Sequence, residues 1–349
     1  MKQILTTLLL LTVCLPVAFA DSLTFSPAAE SANGKHIVLL AGDEEYRSEE
    51  ALPMLGKILS QRHGFRCTVV FSMSNNGEDY IDPNNQKGLT GLDVLQSADL
   101  MILSLRFRSP LEEEAAEITA YLNSGKPIIG LRTSTHAFNG GGSFGSITYK
   151  EFGRKIMGES WVSHHGRHKS QGTRGVIVDG KADHPILNSV ADVFAPSDVY
   201  SVVHLTESDN VLMNGAVTET LDPKSKILDG KINSPMQPLA WLHPWTSPDG
   251  KKAGTTFCTT AGAAVDLANE DLRRMVVNAS LHLTGLTVPE KANVDYVDAY
   301  YPSFFGFIRA KGHFKNLGMK PADFDLGQTP HVPDPPGSPV WTFRDQPKK

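Results

Sequence analysis

The sequence predicts an α/β fold, a mostly parallel central sheet between layers of helix, with an extended tail at its C-terminal end. Three observations carry that expectation. Short apolar runs recur at 36–41 (HIVLLA), 65–71 (FRCTVVF), 99–105 (DLMILSL) and 127–131 (PIIGL). A run that is apolar without alternation marks a strand covered on both faces. Segments of helical periodicity separate these runs, and strand–helix–strand alternation implies right-handed parallel crossovers. Beyond Leu286 the periodicity stops, and residues 321–349 contain seven prolines.

In chain order, residues 1–20 have the form of a secretory signal peptide. Lys2 supplies the charge, 4–17 the apolar core, and Ala18-Phe19-Ala20 the small-x-small cleavage site. The core is too short for a membrane span, so the expectation is an exported protein, periplasmic or secreted, without a membrane span after cleavage. Cys14 raises the lipoprotein alternative, but Val13 is bulky for the position before a lipidated cysteine. Residues 21–35 are small and polar, the composition of a mobile N-terminal segment.

The strand at 36–41 runs into Gly42-Asp43-Glu44-Glu45-Tyr46-Arg47. Ser48 is placed to cap the following helix, with Glu49 and Glu50 favourable in its first turn. Leu52, Leu55 and Leu59 form its apolar stripe, and Gly64 ends it. A polar loop over 72–91 leads to the strand at 99–105. Ser109-Pro110-Leu111-Glu112 then reads as a capping box, followed by the stripe Leu111, Ala115, Ile118 and Leu122. Further strands are expected at 175–178, 199–204, 210–217, 238–242 and 253–259. Leu272, Met275, Val276, Ala279 and Leu283 define a last amphipathic helix. These elements compose a flavodoxin-like three-layer sandwich over 36–286, with 287–349 as a proline-rich extension lying on it.

The chain has 349 residues, 40% of them hydrophobic, and a net charge of −5. An acidic chain without basic runs argues against a nucleic-acid partner. Cys67 and Cys258 both fall inside expected strands, so buried free thiols are expected rather than a bridge.

Ligands of open parallel sheets bind outside the carboxyl ends of the strands. Arg132, Thr133, Ser134 and His136 follow one such end, and Asp43, Glu44 and Glu45 follow another. A carboxylate with a histidine is a general acid/base pair. Arg132 is suited to a carboxylate, a phosphate or a developing oxyanion, or else to a structural ion pair with Glu44. The segment WVSHHGRHKSQGTRG at 161–175 brings His164, His165 and His168 together. Three imidazoles this close suit a metal by type, but the segment holds no acidic residue and several cations, so no metal is assigned. Asp198 and Tyr200 offer a carboxylate and a hydroxyl to the same region. There is no Gly-x-Ser-x-Gly elbow, and no Gly-x-Gly-x-x-Gly follows the first strand, so neither a serine nucleophile nor a nicotinamide site of the usual kind is expected. No cofactor is expected.

The order of GDEEYRSEEALPML, the turn after Gly130-Leu131, WVSHHG, DHPI, SDVY, PLAW and GTTFCTTAG resembles the trehalose-utilisation ThuA-like family. That family lies within the class I glutamine amidotransferase-like superfamily, and the resemblance covers about 36–286. The amidotransferase elbow Gly-x-Cys-x-Gly is absent: Arg132 follows Gly130-Leu131, and no histidine occurs near 260–263. Many ThuA-like members have histidine at the Arg132 position, so the chain departs from them too. The resemblance excludes glutamine hydrolysis by that dyad and implies sugar metabolism, with a pocket near Arg132, His136, His164 or His165, Asp183-His184, Asp198 and Tyr200. The resulting expectation is a protein that processes a sugar derivative, such as a keto-disaccharide or related glycoside. His136 or His165 would act as acid/base, Arg132 on the oxyanion, and Glu44 in orientation. Asp43, Thr133, Ser134, His164, His168, Asp198 and Tyr200 would bind the carbohydrate. The alternatives are a non-catalytic carbohydrate-binding or assembly protein and a metal-dependent hydrolase using the histidine cluster.

Overall fold

A computed structural model describes residues 22–74, 78–339 and 341; the signal-peptide reading and Cys14 lie outside them. Ten of the described strands form one sheet. They are β1 (Ser22–Phe25), β2 (His36–Gly42), β3 (Arg66–Phe71), β4 (Leu100–Leu105), β5 (Ile128–Leu131), β6 (Thr173–Ile177), β7 (Phe194–Ala195), β8 (Asn210–Val217), β9 (Gln237–Thr246) and β10 (Ala253–Thr259). Their spatial order is β1-β3-β2-β4-β5-β10-β9-β8-β6-β7.

The central block β3-β2-β4-β5-β10 is parallel at every pairing. The flanks are antiparallel, with β1 on one side and β9, β8, β6 and β7 on the other. The change of sense follows from the connections. A tight turn, in which the Ser247 amide bonds the Lys252 carbonyl at 2.8 Å, joins β9 to β10, and such a turn joins only antiparallel strands.

The alternation within β2 builds the layers. Ile37, Leu39 and Ala41 enter one core, and Val38 and Leu40 the other. Helices α1 (Ser48–His63) and α2 (Glu112–Asn123) cover opposite faces. Leu52, Leu55 and Ile58 of α1 pack into the first core, and Ala115, Ile118 and Leu122 of α2 into the second. Helix α3 (Glu270–Leu283) joins α1 through Leu272, Met275 and Val276. Each of the Leu, Ile, Val and Met side chains among these contributes about 1.5–3 kcal/mol on full burial. Cys67 and Cys258 are buried and free, as expected.

Three local expectations fail. Residues 199–204 form no strand beyond one bridge between Tyr200 and His164. Side chains take the backbone donors there instead: the Val202 amide bonds Gln237 at 2.9 Å, and the Val203 and His204 amides bond Glu159 at 2.6 and 2.9 Å. Ser109 does not cap α2, because its hydroxyl donates to the Asn139 carbonyl at 2.9 Å. Ser48 accepts the Asp43 amide at 2.9 Å, and the N-cap position falls to Arg47 in a left-handed conformation, φ 60°.

The C-terminal extension lies across α1 and the carboxyl ends of the parallel strands. Lys57 pairs with Asp298 at 2.5 Å, and the amide of Ser303 donates to Glu50 at 2.6 Å. The Gly306 amide donates to the Glu45 carbonyl at 2.8 Å, and Arg47 returns a bond to the Gly306 carbonyl. Phe304 and Phe305 close a small core with Tyr46, Ala263 and Val265. A short helix α4 (His313–Leu317) follows.

Candidate functional site

In the order β3-β2-β4-β5 the chain winds one way from β2 to β3 and the other way from β4 onward. A crevice opens outside the carboxyl ends of strands at such a reversal. A cleft of about 430 Å³ lies there. Glu45 comes from the turn after β2, Arg106 and Phe107 from the residues after β4, and His136 from the turn after β5. Trp161, His164, His168, Lys169 and Tyr200 come from the long connections that follow, and Phe307 from the C-terminal extension.

Asp198 organises the floor. It is fully buried and accepts from His164 Nδ1 at 2.6 Å and His168 Nδ1 at 2.9 Å. Arg132 Nη2 lies 3.2 Å from the same carboxylate. Burial opposes ionisation of Asp198, but the two histidine bonds and the Arg132 charge outweigh it and hold the carboxyl well below its usual range. Burial also opposes protonation of His168; its bonds to Asp198 and to Glu45, 3.4 Å away, prevail and raise its pKa. His136 goes the other way. Burial first, then the charges of Arg106 and Arg132, lower it to about 3, so it is neutral at ordinary pH. Its ring packs against Phe107 and Trp161, with centroids 4.9 and 5.2 Å away.

Arg132 occupies the strained turn between β5 and a 3-10 turn, with φ 46°. That is the position of the nucleophile in a strand–turn–helix elbow. Here the side chain points beneath the cleft. Its guanidinium bonds the carbonyls of Asp198 and Thr260 at 2.6 and 2.8 Å. It lies over the rings of Tyr200 and Tyr46, 3.7 and 4.7 Å from their centroids. Both cysteines are buried in strands, and burial raises both thiols, so neither replaces a nucleophile.

Of the residues singled out from sequence, Glu45, His136, His164, His168 and Tyr200 line the cleft, and Asp198 supports two of the histidines from below. Eight others do not line it. Asp183 is exposed, and His184 caps the short turn after it, its Nδ1 accepting the Ile186 amide at 3.3 Å. Arg132 is consumed by the floor. Glu44 is held between Arg106 and Arg108, at 2.5 and 2.6 Å. Asp43 caps the amides of Glu45 and Tyr46 at 2.8 and 2.9 Å and accepts the Thr133 hydroxyl. Ser134 donates to the carbonyls of Leu103 and Leu131. His165 turns away, its Nε2 2.6 Å from the Ile232 carbonyl. These are corrections to the expected pocket; for Asp43, Glu44, Arg132, Thr133 and Ser134 the cause is that a buried polar group near a strand end must find a partner. The residues missed were Arg106, Phe107, Trp161, Lys169 and Phe307. Arg106-Phe107 follows β4, so the switch-point rule applied to β2 and β4 would have found that pair.

One ligand atom from each of His164, His168 and Asp198 lies within 4.8 Å of the others. By type these are metal donors. Both Nδ1 atoms, however, already bond the carboxylate, which also bonds Arg132, and Arg106 and Lys169 line the same space. The donor set therefore fits hydrogen bonding better than a cation.

Fold and cleft together define an open α/β protein with a cleft at the switch point of its parallel strands. No family model and no curated protein matches the chain. Among solved structures, it is similar to a protein described as ThuA-like from Parabacteroides merdae, at 13% identity over 73% of this chain and 92% of that one, with a TM-score of 0.48. A second, described as ThuA-like and from Bacteroides uniformis, gives 14% identity over 74% and 94%, with a TM-score of 0.44. A cytoplasmic protein from Salmonella typhimurium gives 10% over 73% and 100%, with a TM-score of 0.41.

Proposed function

We propose that the protein acts on a sugar derivative by acid/base chemistry in this cleft, with no covalent nucleophile. The observation that carries the reading is the pairing, within one aromatic-walled cleft, of two histidines driven in opposite directions, His168 upward and His136 downward. Environments that push two titratable groups apart assign an acid and a neutral partner at one pH. Trp161, Phe107 and Phe307 supply apolar faces for the C–H face of a sugar ring, and the imidazoles and Glu45 suit its hydroxyls.

The keto-sugar class comes from the motif resemblance. On such a substrate, His164, backed by the Asp198 carboxylate, takes the proton beside the carbonyl. The electron pair of that C–H bond forms a C=C bond, the glycosidic C–O bond breaks, and His168 protonates the departing oxygen. With Nδ1 accepting from the Thr135 hydroxyl at 3.1 Å, His136 donates its Nε2 proton to the developing oxyanion. Arg106 lends charge beside it. Arg106 and His136 thus replace Arg132 in the role expected from sequence.

The test is purified protein incubated with oxidised (keto) disaccharides, with products read by NMR. His164→Gln and His168→Gln should each lower kcat by about 10²–10⁴. Turnover unchanged in the double variant would sink the assignment. A second reading, a divalent-cation hydrolase, rests on the 4.8 Å clustering of His164, His168 and Asp198. Metal analysis of tag-free protein decides between them. Stoichiometric metal with loss of turnover in chelator favours the second reading, and full turnover without metal removes it.

A further inference from the structure

Lys169 is a cation the acid/base scheme does not use. It lines the cleft, half-buried, and has no ion-pair partner among the described residues. Its backbone is left-handed, φ 60°, a conformation costly for a side chain with a Cβ. Strained residues of this kind cluster at ligand sites. Here Phe107 (φ 47°) lies in the same cleft wall, Arg132 (φ 46°) beneath it, and Arg47 (φ 60°) on the bond that holds the C-terminal segment. The Lys169 ammonium lies against that segment at Gly306, where an added Cβ would come within 2.6 Å of Nζ. A lysine with no role in the cleft extends its head into water; this one is laid along the wall.

Arg106 faces the same space. Phe107 and Phe307 flank its guanidinium, each ring centroid 4.7 Å away. Nη1 bonds Glu44, and Nε lies 3.6 Å from Glu45. Nη2 makes no hydrogen bond among the described residues. The nearby carboxylates are already committed: Glu44 to Arg106 and Arg108, Glu45 to Arg106 and His168, and Asp198 to Arg132 and two histidines. The lysine and arginine donors in the cleft without a hydrogen-bond partner among the described residues are therefore the Lys169 ammonium and the Nη2 edge of Arg106, whose charge the acid/base scheme also places beside the oxyanion. Together they suit an anionic oxygen group.

We propose that the sugar derivative taken by this cleft carries an anionic oxygen group, a carboxylate or a phosphate, seated between Lys169 and Arg106. This rests on the sugar reading above and narrows its substrate class. Calorimetric titration of the full-length protein with glucose, glucuronate, glucose 6-phosphate and inorganic phosphate tests it, on wild type, Lys169→Gln and Lys169→Arg. A charged sugar should bind at least about tenfold more tightly than glucose. That ratio should collapse in Lys169→Gln and survive in Lys169→Arg. Preference for glucuronate assigns a carboxylate, and preference for glucose 6-phosphate a phosphate. Glucose binding as tightly as both charged sugars overturns the anion site and leaves the sugar reading intact. Lys169-dependent binding of inorganic phosphate with no sugar bound keeps the anion site and removes the sugar. Failure of every charged probe to bind overturns the inference.

Discussion

At the scale of single residues the site turns on Asp198, a buried carboxylate shared by two imidazoles and a guanidinium. Replacing it with asparagine leaves Arg132 buried without its charge partner. Asp198→Asn should therefore destabilise the protein by about 3–5 kcal/mol in urea denaturation. Because its folded pKa is depressed below the ordinary 3.8, the stability it supplies is present above that value and is lost as pH falls further. His168 behaves oppositely. Its folded pKa is raised above 6.5, so its contribution is complete below pH 6.5 and disappears as pH rises through the higher folded value. The stability gap between wild type and His168→Gln should narrow on going from mildly acidic to alkaline buffer, and a gap that is flat or widens contradicts the bonding described. Thr133→Val is the control for a residue expected in the pocket and found in the framework. It removes the hydroxyl bonded to buried Asp43 and should cost about 1–3 kcal/mol of stability while leaving ligand affinity unchanged.

At the scale of elements, the strands and helices were legible and the ends of strands were not. The runs at 36–41 and 99–105 can satisfy both faces only as interior strands, and helical periodicity places α1, α2 and α3. Past the strand ends no period operates. Glu44 and Glu45 are adjacent, yet one is held by Arg108 and the other faces the cleft, a difference set by the Asp43 cap and the left-handed turn at Arg47. The cluster His164, His165 and His168 was visible in sequence, but which of them would share Asp198 depended on the turn around Gly166. Phe307 reaches the cleft from a segment with no motif, carried there by bonds from Glu45, Arg47 and Glu50. The last of these gives a test at this scale. Burial and the neighbouring Glu49 raise Glu50 to about 7, so the native state binds more protons than the unfolded chain between the ordinary 4.5 and about 7. Stability from this contact is full below pH 4.5 and is lost as pH rises through about 7. Glu50→Gln keeps the side chain neutral, so it should raise the melting temperature above pH 7 relative to wild type and change it little at pH 5. Parallel melting scans across that range check it.

At the scale of the whole molecule, the parallel block creates the site by its winding, and the antiparallel wing supplies its far wall. The reversal between β2 and β4 opens the crevice, and the connections before β6 and between β7 and β8 carry the histidines and Asp198 across it. Residues from widely separated parts of the chain thereby converge on one cleft whose position follows from strand order alone. The most direct test of that convergence is a crystal structure of the protein soaked with an oxidised disaccharide. The sugar should lie against Trp161 and Phe307, with a hydroxyl or glycosidic oxygen within hydrogen-bonding reach of His164 and His168. Sugar density elsewhere, such as the separate groove formed by Asn269, Tyr296 and Tyr300, with the switch-point cleft empty, would contradict the account.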